Sequence, residues 1–468
     1  MEKKRKKNSI QASFLKKRLI QNPRIQNPRI QNRMTIKPQN LEEKLVWYTI
    51  VGTYGLYFIG AQFVWIPALA FFLLFRVAQK LWEQTPDTPA EERITVPISV
   101  WIWAIAMILM EVALVMAHID RDLGIPKMVF TTVNSWARTW ALMGIFPLVG
   151  CLKIRTQLLA RAACILCVQS LVLAIVCSFM FLVGIPDPAY ISPLVKFRGS
   201  ATNYLVDLYD VGGDFGEAKQ FRLKLFTNFA NSLGVVGNVY FFIATLERNR
   251  KWRLWGMVGG AAMVIGSGSR STLVCLPLVP ITIWFLTNFG WPIQIAAGIL
   301  STIAGMIAPQ IIDLFETIWD KAVKGYRGNS ELVRRRLAEV TMNRWTDYPI
   351  WGHGFVEEKG PKYTEHMPIG SHNQWPDLLY VKGMVGFIAF SFAMLWSFVD
   401  LTIKAQKSTK ARVGLSVFLV LLIATSAIDI ENTAYLYWPG LVMMGIAFKE
   451  DVPVAIDNTT LSRDRQSV

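Results

Sequence analysis

The chain has 468 residues, 53% of them hydrophobic and 18% charged, and a mean hydropathy of +0.34. That balance excludes an ordinary soluble enzyme, because its apolar residues recur in runs of ~17–25, long enough to cross a bilayer core about 30 Å thick. The net charge of +16 is mostly local: residues 1–33 carry eleven Lys or Arg against the single acid Glu2, so the basicity does not mark the rest of the chain as a nucleic-acid binder.

Residues 1–44 read as a disordered, low-complexity cytoplasmic tail. The pentapeptide Ile20-Gln21-Asn22-Pro23-Arg24 is repeated as Ile25-Gln26-Asn27-Pro28-Arg29, and proline every fifth residue without an apolar face gives no helix to pack. A basic arm ahead of a first span is a cytoplasmic retention signal, and Met34 is a second candidate start. The expected fold is all-α: a polytopic integral membrane protein of about 12 transmembrane helices, with a large external loop carrying short helices.

Spans are predicted at 46–60, 62–78, 96–118, 127–150, 159–184, 226–246, 254–268, 272–288, 292–308, 384–403, 413–428 and 433–448. They divide the chain into a first membrane region over 45–308 (spans one to nine), an external loop over 309–383, a second membrane region over 384–448, and a cytoplasmic tail over 449–468. With both termini inside, the basic loops around Lys153, Arg250 and Lys404 to Arg412 all face the cytoplasm, as the positive-inside rule requires. Reading 46–78 as a single tilted helix would turn every one of them outward.

Glu111 and Arg138 fall in the third and fourth spans, about 11 and 16 Å below the outer surface at helical rise. Their position suggests a structural ion pair, with a proton path as the alternative. Of the five cysteines, Cys164, Cys167 and Cys177 share one apolar span and Cys275 lies in another. A lone Cys-x-x-Cys without a second pair or a nearby histidine reads as core packing.

Candidate chemistry collects on the external side. Arg270, within Gly266-Ser267-Gly268-Ser269-Arg270-Ser271, stands at the outer end of the seventh span among small residues, and Arg222 lies just outside the sixth. A guanidinium is an always-charged fork suited to phosphate oxygens. The segment is no P-loop, since it lacks the strand, spacing and lysine.

The loop 309–383 holds three of the four histidines. Asn329-Ser330-Glu331 looks like a helix start followed by the apolar stripe Val333, Leu337 and Val340. Arg335 can pair with Glu331 and Glu339 on that helix, which leaves Arg334 and Arg336 as candidate substrate contacts. His353, in Pro349-Ile350-Trp351-Gly352-His353-Gly354, either touches substrate or packs a turn. His372, in Ser371-His372-Asn373, is the candidate general base, because imidazole titrates near neutral pH; Ser371 and Asn373 could orient it. No Cys/His/Asp cluster has metal-ligand spacing.

Together these elements resemble the O-antigen ligase and O-antigen polymerase superfamily. The motifs that carry the resemblance are Ser269-Arg270-Ser271, Arg334, Pro349 to Gly354, Ser371-His372-Asn373 and Gly383-Met384-Val385-Gly386, over about residues 220–390. The family implies a glycosyltransferase with no metal or other cofactor, acting at the external face of the bacterial inner membrane. Its donor would be an undecaprenyl-diphosphate-linked glycan and its acceptor a hydroxyl of a glycan or lipid, with membrane lipids as the remaining partners and no nucleic acid.

Carried over residue by residue, Arg222 and Arg270 would bind the diphosphate and His372 would activate or orient the acceptor; Arg334, Arg336, His353 and Asn373 are the further candidate substrate-binding residues. One departure bears on Arg222: the family's following stretch is Gly-rich with Asn-Pro-Asn, whereas here it reads Lys224-Leu225-Phe226-Thr227-Asn228-Phe229-Ala230-Asn231. A repeat-unit polymerase would use the same donor and residues. A membrane transporter is the reading from another class; it would need inverted repeats and helices broken at the midplane.

Overall fold

The computed structural model describes residues 36–89, 93–187, 189–197, 201–211, 221–288, 328–371, 373–426 and 428–450. Its helices are α1 (Leu41–Val51), α2 (Thr53–Phe58), α3 (Gln62–Glu83), α4 (Ile98–Asp120), α5 (Ile125–Thr131), α6 (Trp140–Gly150), α7 (Thr156–Val183), α8 (Ala230–Ala244), α9 (Arg250–Gly266), α10 (Arg270–Asn288), α11 (Gly328–Trp345), α12 (Gln374–Ala405), α13 (Thr409–Ala424) and α14 (Ala434–Phe448). Two small antiparallel ladders join β1 (Tyr190–Ile191) to β2 (Leu205–Val206) and β3 (Tyr209–Asp210) to β4 (Arg222–Leu223). Among the described residues five helices, α3, α4, α7, α10 and α12, are long and apolar enough to cross a membrane, and α6 and α8 are shorter apolar helices. The predicted span 292–308 lies outside the described residues.

The centre of the bundle is set by α6 and α14, both buried along their whole length. A helix apolar all round has no solvent or lipid face to spare. The two approach backbone to backbone: a Cβ on Gly445 would stand 2.1 Å from the Pro147 carbonyl oxygen. Another close crossing brings α9 onto α7, where a Cβ on Gly259 would stand 2.1 Å from the Cys167 oxygen. The cysteines are buried and form no disulfide.

The predicted fourth span is not one helix. After α5 the chain makes a π turn over Thr132–Ala137, breaks at Thr139 (φ −129, ψ −89) and resumes as α6. No ion pair joins Glu111 to Arg138 among the described residues: Thr132 Oγ1 donates to Glu111 Oε1 at 2.6 Å, whereas the Arg138 guanidinium lies 5.4 Å from the Phe63 ring centroid. The π turn offsets the register of the span, so equal depth no longer means contact.

The basic loops gather at one end of the bundle. Arg155 pairs with Glu43 at 2.7 Å and Arg161 with Glu247 at 2.8 Å, Lys410 pairs with Glu450 at 2.8 Å, and Lys449 donates to the Cys151 and Leu152 carbonyls. The opposite end carries the ladders, α11 and the loop that precedes α12.

Candidate functional site

At that opposite end the hairpin between α9 and α10 turns at Gly268, whose φ of +62 is in the left-handed region. The Ser267 hydroxyl donates to the Val264 carbonyl at 2.7 Å and accepts the Ser269 N–H at 3.2 Å, so the small residues of the motif are consumed in closing the turn. Arg222, delivered by β4, lies across it: Nε donates to the Ser267 carbonyl at 3.1 Å and a terminal nitrogen donates to Asn231 Oδ1 at 2.6 Å. Arg270 opens α10 with an exposed side chain that makes no hydrogen bond or ion pair among the described residues. Two guanidinium groups thus share one turn, beside a helix N-terminus whose free N–H groups favour anions.

The segment that departs from the family pattern is what seats Arg222. Asn231 holds its guanidinium. Asn228 donates to Asn203 at 2.6 Å and accepts the Tyr435 hydroxyl, tying the seat to α14.

The Pro349–Gly354 loop and the glycine pair of α12 form one junction. Gly383 has φ +63 and ψ −165, which opens the helix. The amides of Met384 and Val385 would otherwise bond the carbonyls of Tyr380 and Val381. They donate to Pro349 and Ile350 at 2.9 and 3.3 Å instead, and those two helix carbonyls accept His353 N–H at 2.7 Å and Gly354 N–H at 3.0 Å. His353 is buried, its ring stacked on Tyr380 with centroids 4.0 Å apart. Arg121 donates to the His353 carbonyl at 2.9 Å and lies over Tyr348. Burial, and then the Arg121 charge, hold the His353 imidazole below its usual range. His353 is thus placed in the packing of this turn, with an Nδ1 that no hydrogen bond satisfies.

His372 lies outside the described residues. Its neighbours are fixed: Ser371 donates to the Pro368 carbonyl at 2.7 Å, and Asn373 caps α12 while its N–H donates to Asp377 Oδ2 at 2.5 Å. Gln374 is 1% exposed; its amide donates to Glu431 Oε2 at 2.8 Å and accepts the Ile430 N–H at 2.7 Å. Asp377 meets Asp429 side chain to side chain. An acidic group of Asp377, Asp429 and Glu431 therefore lies against Asn373 and Gln374 at the start of α12, and burial followed by the Asp429 charge pushes Glu431 above the usual carboxylate range.

None of these acids was singled out from the sequence. The available signal was two carboxylates around Ile430 in a very short connection between apolar helices, which a count of Lys and Arg for sidedness passes over.

On α11 the stripe Val333 and Leu337 is buried, Leu337 against Ile369 and Tyr380. Arg335 and Arg336 are exposed, and no ion pair joins Arg335 to Glu339 among the described residues. Arg334 is half-buried, with an Nε that has no hydrogen bond. Groups of three or more potential metal ligands are absent among the described residues.

No curated protein matches the chain. Residues 255–391 match the sequence model of the family described as O-Antigen ligase, a stretch that contains Arg270, α11, the Pro349–Gly354 loop, His372 and the Gly383 kink but not Arg222, Asp429 or Glu431. That match makes this stretch of the helical chain similar to the O-antigen ligase family.

Proposed function

We propose that the protein is an inner-membrane glycosyltransferase of twelve spans, with both termini cytoplasmic, that moves a saccharide from an undecaprenyl-diphosphate carrier to an acceptor hydroxyl on the external face. The observation that carries this is the placement of Arg222 and Arg270 on one turn. Breaking the bond between the sugar C1 and the diphosphate oxygen leaves negative charge on that oxygen, and fixed guanidinium groups stabilise it where water is partly excluded. His372 takes the acceptor hydroxyl proton, and attack from the face opposite the leaving group inverts the anomeric centre. Arg334 and Arg336, on the helix packed against α12, serve the glycan portion of a substrate, and Asn373 orients the segment that bears His372.

The test is transfer from a purified undecaprenyl-diphosphate glycan by detergent-solubilised variants, with donor binding scored separately. Arg270→Ala should lower turnover by about 10²–10³, or about 3–4 kcal/mol, the range for losing one transition-state donor. Arg270→Lys should also be impaired, because a point charge cannot replace a bidentate fork. His372→Ala should abolish transfer and leave donor binding intact. Full turnover in both alanine variants would overturn the reading. A transporter has one observation in its favour, the helix break at Thr139, and export of glycan without any new glycosidic bond would select it. Using a repeat unit or an envelope lipid as acceptor separates polymerase from ligase.

A further inference from the structure

Two helices start side by side at the Ser267–Gly268 turn. The first bond of α8 runs from Leu233 N–H to the Phe229 carbonyl at 3.2 Å, and the first of α10 from Leu273 N–H to the Ser269 carbonyl at 3.0 Å. The amides ahead of them, Ala230 to Ser232 and Arg270 to Thr272, donate no hydrogen bond among the described residues, as a helix start leaves them. Phe229, the N-cap of α8, has no side-chain oxygen to offer them.

Gly234 lets the two starts touch: a Cβ there would stand 2.2 Å from Thr272 Oγ1 and 2.8 Å from Ser267 Oγ. The buried Asn238 stitches them together, its amide donating to the Gly234 carbonyl at 2.9 Å and to the Thr272 carbonyl at 2.8 Å. Each helix start is equivalent to about half a positive charge. Arg222 adds a whole charge at the first, through Asn231, and Arg270 opens the second. The nearby carboxylates of Asp207 and Asp210 approach Lys224, at 2.7 and 3.7 Å. Such a pair of ends is best relieved by an anion with two negative centres.

The start of α8 also holds an unspent donor. Ser232, its third residue, is 1% exposed, and its hydroxyl has no hydrogen-bond partner. A serine within a helix commonly bonds the carbonyl one turn back. Helical side chains lean toward the N-terminus, so this hydroxyl is directed toward the end where the unpaired amides and Arg222 lie.

We propose that the starts of α8 and α10 each seat one phosphoryl group of a lipid-linked diphosphate, with Ser232 a donor in the α8 seat, so that the pair selects a diphosphate carrier over a monophosphate one. This rests on the reading above that Arg222 and Arg270 hold the diphosphate. It adds the first-turn amides of both helices and the Ser232 hydroxyl to the two guanidinium groups, and it makes Gly234 the residue that fixes the spacing of the two seats.

Equilibrium binding of farnesyl diphosphate and farnesyl monophosphate to the full-length protein in detergent tests this without any turnover. The unmodified protein should take the diphosphate at least about tenfold more tightly, the scale of one hydrogen bond to a charged group. Ser232→Ala should lower diphosphate affinity about tenfold and monophosphate affinity by less, because a single phosphoryl group keeps the α10 seat. Gly234→Ala, which forces the two starts apart, should bring the two affinities together while the monophosphate still binds. Where Gly234→Ala fails to fold, Ser232→Ala, which only removes an oxygen, decides. Equal affinities in the unmodified protein, or a diphosphate preference that Ser232→Ala leaves unchanged, overturns the proposal. Normal glycan transfer alongside that result leaves the proposed reaction standing, whereas the expected binding without any transfer overturns the reaction and not the two-helix seat.

Discussion

In the reaction proposed above, a guanidinium stabilises the departing diphosphate in proportion to how little it must reorganise, and Arg222 and Arg270 differ in that respect. Arg222 is pinned by Ser267 and Asn231, whereas Arg270 is exposed. Asn231→Ala should therefore act through Arg222: losing a hydrogen bond to a charged group costs about 1.5–3 kcal/mol, on the order of 10–100-fold in donor affinity or turnover. Donor affinity or turnover should fall by more than the loss of thermal stability accounts for; a large drop in melting temperature with normal kinetics would refute the seat. Arg270 was legible from sequence because a charged residue among small ones at a span edge stands out by its surroundings. Asn231 was seen only as a departure from a family pattern, since its role depends on a strand that returns from residues 209–210. Glu431 was not legible at all, since its meaning comes from meeting Gln374 of α12 in space.

For single elements, the hydropathy pattern located the long helices, while their interruptions stayed hidden. The π turn at Thr132–Ala137 leaves no apolar periodicity to betray it, and Gly383 was read as the last residue of the external loop and part of a glycine motif, with nothing to show that a helix runs through it. The structure gives Gly383 a specific cost of substitution. Its φ and ψ belong to a region used essentially by glycine, worth about 1–3 kcal/mol in strain, and an added Cβ would stand 2.2 Å from the Ile350 oxygen. Gly184, the left-handed C-cap of α7, has nothing within 4 Å of an added Cβ. Gly383→Ala should thus lower the detergent melting temperature well beyond Gly184→Ala, which bears strain alone. Equal losses in the two variants would mean that the junction does not constrain α12.

Across the whole molecule, the sequence reading rested on parity and loop charge, and the structure independently collects the Lys153, Arg248 and Lys410 connections at one end. A cysteine introduced by Lys362→Cys should react with a membrane-impermeant maleimide in intact spheroplasts, against a low background, since the native cysteines are buried. Reaction only after permeabilisation would invert the topology. The junction at Gly383 also limits how such a molecule can open. Four backbone bonds interleave the Pro349–Gly354 loop with α12, so the loop supplies, in effect, a missing turn of that helix. A segment that completes a helix cannot swing aside like a flap without unravelling the element beneath it. In the function proposed above, a glycan would have to reach the site past this loop as a fixed wall, not through its opening.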